Sequence, residues 1–192
     1  MTRYLLHGGG LILKSEGNDS YFRTIVEAVP DGGTLLVVLF AATEDRWPEL
    51  FENLKGYVAA QAGEKRIAYA LATREHFVEE AGRADAILIR GGSTDRLIEA
   101  LRAYNDLAAV FNGKLVAGSS AGAYAFGVYN YSRSGKKLRD GLGLVKAKVL
   151  CHYESEDPKE HNGADAVAVM EAEHPELPLI TLRDAEWKEL TV

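Results

Sequence analysis

Residues 114–124 read Lys-Leu-Val-Ala-Gly-Ser-Ser-Ala-Gly-Ala-Tyr, and within them Gly118-Ser119-Ser120-Ala121-Gly122 fits Gly-x-Ser-x-Gly. The apolar run Leu115-Val116-Ala117 reads as a short buried strand, and Ala123 to Phe126 can continue as a helix. A strand that breaks sharply into a helix leaves the residue at the turn protruding in a strained backbone geometry, which the flanking glycines permit. That residue is Ser120. Its hydroxyl would sit near the positive end of the helix, with backbone N–H groups at hand for a developing oxyanion. Such a site performs acyl transfer. The same five residues also suit a small-residue turn or a loop cradling phosphate.

A serine is a weak nucleophile at neutral pH and needs a neighbouring base. Of the five histidines, His76 lies in a charged helix and His174 at a Glu-rich helix end, both readings of solvated surface. His161 belongs to the polar segment 156–162. His7 ends the first strand, where a packing or loop role is expected. His152 ends an expected strand downstream of Ser120 and is the candidate base. An imidazole must itself be oriented, usually by a carboxylate. Strand alternation puts Glu154 on the same face as His152, with Asp140, in the preceding loop, as the competitor. Glu156 and Asp157 read as solvated. Cys151, the strand neighbour of His152, would point to the opposite face into apolar surroundings.

The elements that must hold these groups alternate between strand and helix. Strands are expected over 3–6, 34–40, 66–71, 85–89 and 115–117. Extended structure is expected at 141–145 and 148–152, and a closing strand pair at 178–182 and 186–192. Helices are expected after caps at Asn18-Asp19-Ser20, from Pro48 to Gly63, over 74–81, around Leu97, Ile98 and Leu101, near 106–111, from Ala123, and over 164–173. Continuous apolar strands such as Thr34 to Phe40 indicate burial on both faces. The fold class is therefore α/β, a mostly parallel central sheet with helices on both faces, and its ligand crevice lies beyond the carboxyl ends of the strands. Glycine-bearing turns end three strands, after Leu6, Ile89 and Ala117, and should converge on that edge.

Composition narrows the function classes. The 192 residues suit one domain spanning 1–192. A net charge of -6 with no dense basic run argues against a nucleic-acid partner. The apolar stretch at the N-terminus is too short for a signal peptide or membrane span, so a cytoplasmic location without membrane partners is expected. The single cysteine, Cys151, excludes an internal disulfide and a multi-cysteine metal site. No cofactor or metal is expected.

With these residues assembled, the chain resembles the peptidase E and cyanophycinase family of serine peptidases, which shares its flavodoxin-like, three-layer fold with class I glutamine amidotransferases. The markers are Gly91-Gly92-Ser93-Thr94 after a strand, Gly118 to Ala123, Gly141-Leu142-Gly143-Leu144-Val145 leading to His152-Tyr153, and the ending Leu177 to Asp184. The resemblance implies that Ser120 is the nucleophile and His152 the general base, with the N–H groups of Gly92 and Ala121 as the oxyanion hole. It also implies a small peptide substrate.

The chain departs from the family pattern in several places. Ser93 stands where the family often has Asn, and Arg90 where it has a further glycine. In peptidase E the third triad residue is an aspartate between the serine helix and the histidine strand, where this chain offers Asp140. His152-Tyr153-Glu154, however, resembles the His-x-Glu of the amidotransferases and favours Glu154. Peptidase E cleaves after an N-terminal aspartate and carries an arginine past its histidine. Here the stretch 158–169 has Lys159 but no arginine, which leaves Arg90, Arg133 and Arg139 as sources of positive charge. The expected function is a serine exopeptidase or dipeptidase. The alternatives are an α/β-hydrolase esterase, suggested by His7-Gly8-Gly9-Gly10, and a non-catalytic ligand-binding module.

Overall fold

The computed structural model describes residues 1–192. In chain order its strands and helices are β1 (Arg3–His7), α1 (Glu16–Ala28), β2 (Thr34–Val38), α2 (Trp47–Ala62), β3 (Ala68–Leu71), α3 (Phe77–Arg83), β4 (Ala86–Ile89), α4 (Thr94–Arg102), α5 (Leu107–Phe111), β5 (Leu115–Ser119) and α6 (Ala121–Phe126). They continue as β6 (Tyr129–Ser132), β7 (Lys137–Asp140), β8 (Lys148–Leu150), α7 (Ala164–Ala172), β9 (Leu179–Thr181) and β10 (Trp187–Thr191).

Six strands form the central sheet in the order β10-β1-β5-β4-β2-β3. The four pairings among β1 to β5 are all parallel and leave only β10 antiparallel, on the edge beside β1. β4 and β5 are buried at every residue, as a strand covered on both faces must be. Leu5, Leu35, Val37, Leu88 and Ala117 face α1 and α2, while Tyr4, Leu36, Val38, Ile87 and Val116 face the layer of α3 to α6. This is the expected three-layer α/β/α arrangement. No helix is long and apolar enough to cross a membrane.

Three local expectations give way. The N-cap of α1 is Ser15, whose hydroxyl accepts from Asn18 N–H; Asn18 is instead buried and serves His7. The polar stretch 131–140 is part of a hairpin, β6 and β7, in a second sheet ordered β7-β6-β8-β9. The closing strands do not pair with each other: β9 runs parallel to β8 in the second sheet, and β10 pairs with β1 in the first.

That second sheet is anchored from inside. Lys148, at the start of β8, is buried, and its Nζ donates to Met170 O (2.6 Å) and Glu173 O (2.7 Å) at the end of α7. A cation at a helix C-terminus satisfies otherwise unpaired carbonyls and meets the negative end of the dipole. The strand that delivers His152 is thereby fastened.

Candidate active site

Three adjacent strands, β1, β5 and β4, end on one edge, and their turns form the floor of the site. β5 runs into Ser120, whose backbone takes φ 51° and ψ -108°, a left-handed conformation costly for a non-glycine residue. The turn is held on both sides: Ser120 N–H donates to His7 O (2.9 Å), and Ser120 O accepts from Tyr124 N–H (2.9 Å) to open α6. The hydroxyl therefore projects from the sheet edge at a helix start.

The second element is the loop after β8. Pairing with the β9 strand continues beyond both strands' ends, through Leu182 N–H to Leu150 O (2.9 Å) and Tyr153 N–H to Leu182 O (3.0 Å). His152 N–H donates to Gly8 O (3.1 Å), tying this loop to the β1 turn. The buried Asn162 side chain donates to Cys151 O (2.8 Å), and its backbone bonds His152 O and Glu154 N–H. His152 is thus fixed by groups from three parts of the chain, and it is 8% exposed.

Ser120 Oγ lies 2.8 Å from His152 Nε2, and His152 Nδ1 lies 2.7 Å from Asp184 Oδ1. Because a carboxylate only accepts, Nδ1 carries the proton and Nε2 is left to accept from the serine hydroxyl. The other oxygen of Asp184 accepts from Ser155 Oγ–H. Asp184 sits in the turn between β9 and β10, and the parallel pairing of β8 with β9 brings it to the same edge as His152. The N–H groups of Gly92 and Ala121 donate to no other group of the protein. Gly92 has φ +148°, and a Cβ there would meet Ala41 O at 2.8 Å, so no other residue fits its turn.

His7-Gly8-Gly9-Gly10 forms the seat of the imidazole. Gly9 has φ +125°, and a Cβ on it would overlap the His152 ring. His7 is fully buried; its Nε2 bonds Asn18 Oδ1 (2.8 Å), and its Nδ1 accepts from Gly9 N–H (3.1 Å) and faces Ser119 Oγ (3.2 Å). Asn18 Nδ2 in turn donates to Gly10 O and Leu13 O. Burial pushes the His7 imidazole down to about 4, against the opposing Asn18 hydrogen bond, so it is neutral near pH 7.

Two cavities open on the serine. The larger, about 790 Å³, runs between the 10–15 loop and the 154–160 and 183–185 segments. The smaller, about 260 Å³, is lined by Thr94, Tyr131, Arg133 and Arg139. Gly92, Ser120, His152 and Glu160 border both.

The sequence model of peptidase family S51 matches residues 4–190. The chain belongs to this family. Membership makes it a serine-type peptidase of the peptidase E kind. Among solved structures it is similar to a peptidase from an acI-B1 Actinobacterium (20% identity, TM-score 0.69), with 99% of this chain and 83% of that one covered. It is also similar to a putative peptidase E protein from Listeria monocytogenes EGD-e (18% identity, TM-score 0.68, 99% and 94% covered). At these identities the structures share the fold. No curated protein sequence matches.

Within this S51 fold, Ser120, His152, Gly92 and Ala121 gather at one place. Glu154 and Asp140 do not reach the imidazole. Glu154 pairs with Arg183, which holds its carboxyl below the usual carboxylate range, and Asp140 ends β7 opposite Tyr129. Strand alternation does not apply to these residues, because β8 ends at Leu150 and both His152 (φ 55°) and Glu154 (φ 52°) have left-handed backbones. Asp184 is the group that sequence reasoning missed. Its signal was the strand 178–182 just before it, misread as the first arm of a hairpin. The esterase reading also falls, since His7-Gly8-Gly9-Gly10 packs under the imidazole in a fold of another family. Cys151 is buried, and burial pushes its thiol well up, which leaves it unreactive.

Proposed function

We propose that this S51 peptidase hydrolyses short peptides through an acyl-enzyme, with Ser120 as nucleophile, His152 as general base and Asp184 as the group that orients it. The observation that carries this reading is the unbroken line from Ser120 Oγ through the imidazole to Asp184, at 2.8 Å and 2.7 Å, on the border of two cavities.

Ser120 Oγ attacks the scissile carbonyl carbon as its proton passes to His152 Nε2. The Gly92 and Ala121 N–H groups, which have no internal partner, receive the tetrahedral oxyanion. Asp184 stabilises the imidazolium and keeps its Nδ1 proton in place. The Nε2 proton then moves to the leaving nitrogen as the C–N bond breaks. A water molecule, deprotonated at Nε2, attacks the Ser120 ester; collapse of that second intermediate returns the proton to Oγ and releases the acid.

The cavities support an exopeptidase or dipeptidase. The smaller has room for about one side chain. In the larger, Arg90 pairs with no carboxylate and donates only to Gly91 O (3.1 Å), which suits the terminal carboxylate of a short peptide. An N-terminal aspartate would face Arg133 and Arg139, but these already hold Glu160 (3.4 Å) and Asp95 (2.6 Å). The reading therefore extends to short peptides in general. A non-catalytic role would leave the aligned Ser120, His152 and Asp184 without a purpose.

A dipeptide library, with the released amino acids read by mass spectrometry, tests this. Ser120→Ala should lower the rate by roughly two to six decades. Hydrolysis by Ser120→Ala at the wild-type rate would overturn the reading.

A further inference from the structure

Between the two cavities stands a carboxylate that the acyl-transfer steps do not use. Glu160 follows His152 in the loop closed by Asn162 and borders both cavities. Its Oε2 lies 3.9 Å from His152 Nε2, the nitrogen facing Ser120, and 3.4 Å from Arg133 Nη2. Its Oε1 accepts no hydrogen bond. The Glu160 and Arg133 side chains are 48% and 45% exposed, and ion pairs that wet add little to stability. Fold maintenance therefore gives no reason for a carboxylate at this spot.

Reaction geometry gives one. The scissile carbonyl must come within attack distance of Ser120 Oγ, and its leaving nitrogen within hydrogen-bond reach of His152 Nε2. The amino group on the α-carbon beside that carbonyl then falls in the neighbourhood of Nε2, where Glu160 stands. A free N-terminus presents an ammonium there, and an internal or acylated residue presents an uncharged amide. The carboxylate attracts the first and loses solvent to the second without return. The ion pair with Arg133 engages the same oxygen that lies near the imidazole and so holds the carboxylate at the reacting face.

We propose that Glu160 binds the free α-ammonium of the substrate's first residue, sets that residue's carbonyl over Ser120, and so confines cleavage to peptide N-termini. This proposal rests on the serine peptidase reading above.

The test uses an Xaa-Leu dipeptide library with free amino termini and its N-acetylated counterpart. Released leucine is measured for wild type, Glu160→Gln and Glu160→Asp, and Ser120 labelling by a fluorophosphonate that carries no amine is measured in parallel. Wild type should prefer the free library by about a hundredfold, and Glu160→Gln should cut kcat/KM on it about tenfold or more, mainly through KM. Glu160→Gln should also shrink the preference toward parity, leave Ser120 labelling unchanged, and be partly rescued in Glu160→Asp. Equal wild-type turnover of both libraries, or a preference that survives Glu160→Gln, overturns this proposal alone. Labelling that falls in step with turnover also overturns it, by showing that Glu160 acts through His152. Turnover of neither library removes the peptidase reading and this proposal with it.

Discussion

His152 and Asp184, 32 residues apart in the chain, meet through a 2.7 Å hydrogen bond because β8 and β9 run side by side in the same direction. Each residue leaves its strand at the same sheet edge, and Ser155 holds the carboxylate from behind. The acid of the arrangement thus comes from the last tenth of the chain rather than from the loop around the histidine.

This relationship separates two carboxylates by their consequences. Asp184→Asn should lower kcat by roughly three to four decades, because the amide can favour the wrong imidazole tautomer. Glu154→Gln should leave kcat/KM within a few-fold of wild type, since Glu154 engages Arg183 on the exposed surface. Steady-state kinetics of the two variants on one dipeptide check both. Equal losses would contradict the assignment.

Gly9 has no room for a methyl group beneath the imidazole. Gly9→Ala should therefore push His152 off line and cost about a hundredfold or more in kcat, as small displacements of a reacting group do. Circular dichroism should show secondary structure retained. A fully active Gly9→Ala protein would mean that the imidazole does not rest where the structure puts it.

His7 makes a pH prediction. Burial lowers its folded value to about 4, from 6.5 in the unfolded chain. The unfolded chain therefore binds more protons between those values, and stability falls as pH drops through that window. The loss is on the order of 3 kcal/mol, complete near pH 4. Urea midpoints at pH 7 and pH 4.5 should differ less in His7→Gln than in wild type, although His7→Gln should be weaker at pH 7 through its altered bonds to Asn18 and Gly9. An unchanged pH dependence would show that His7 is not the group responsible.

Cys151 should resist iodoacetamide in the native protein and react once urea unfolds it, because its thiol is buried and its thiolate disfavoured. Mass spectrometry of the alkylated protein reads this directly. Rapid alkylation with loss of activity would place the thiol in the open site.

The sequence carried the parts of this site that are local. A glycine-flanked serine after an apolar run marks Ser120, and apolar strands ending in glycines mark the edge where Gly9, Gly92 and Ser120 gather. What it hid depends on pairings between distant segments. Pairing 178–182 with 186–192 hides Asp184, because the parallel register of Leu150 with Thr181 has no local trace. The His-x-Glu pattern and strand alternation both point to Glu154, but β8 ends two residues before His152, so the alternation does not hold there. The β6–β7 hairpin looked like a polar loop because β7 is an edge strand whose charges keep it soluble. Asn18 looked like a cap because caps and buried ligands of histidine draw on the same residue types.

The central claim is that Ser120 is activated by His152. Intact-mass analysis after treatment with a fluorophosphonate, followed by peptide mapping, measures it most directly. The account predicts a single adduct, on Ser120, in wild type and its near-complete loss in His152→Ala. An adduct on another residue, or equal labelling of Ser120 in His152→Ala, would contradict it.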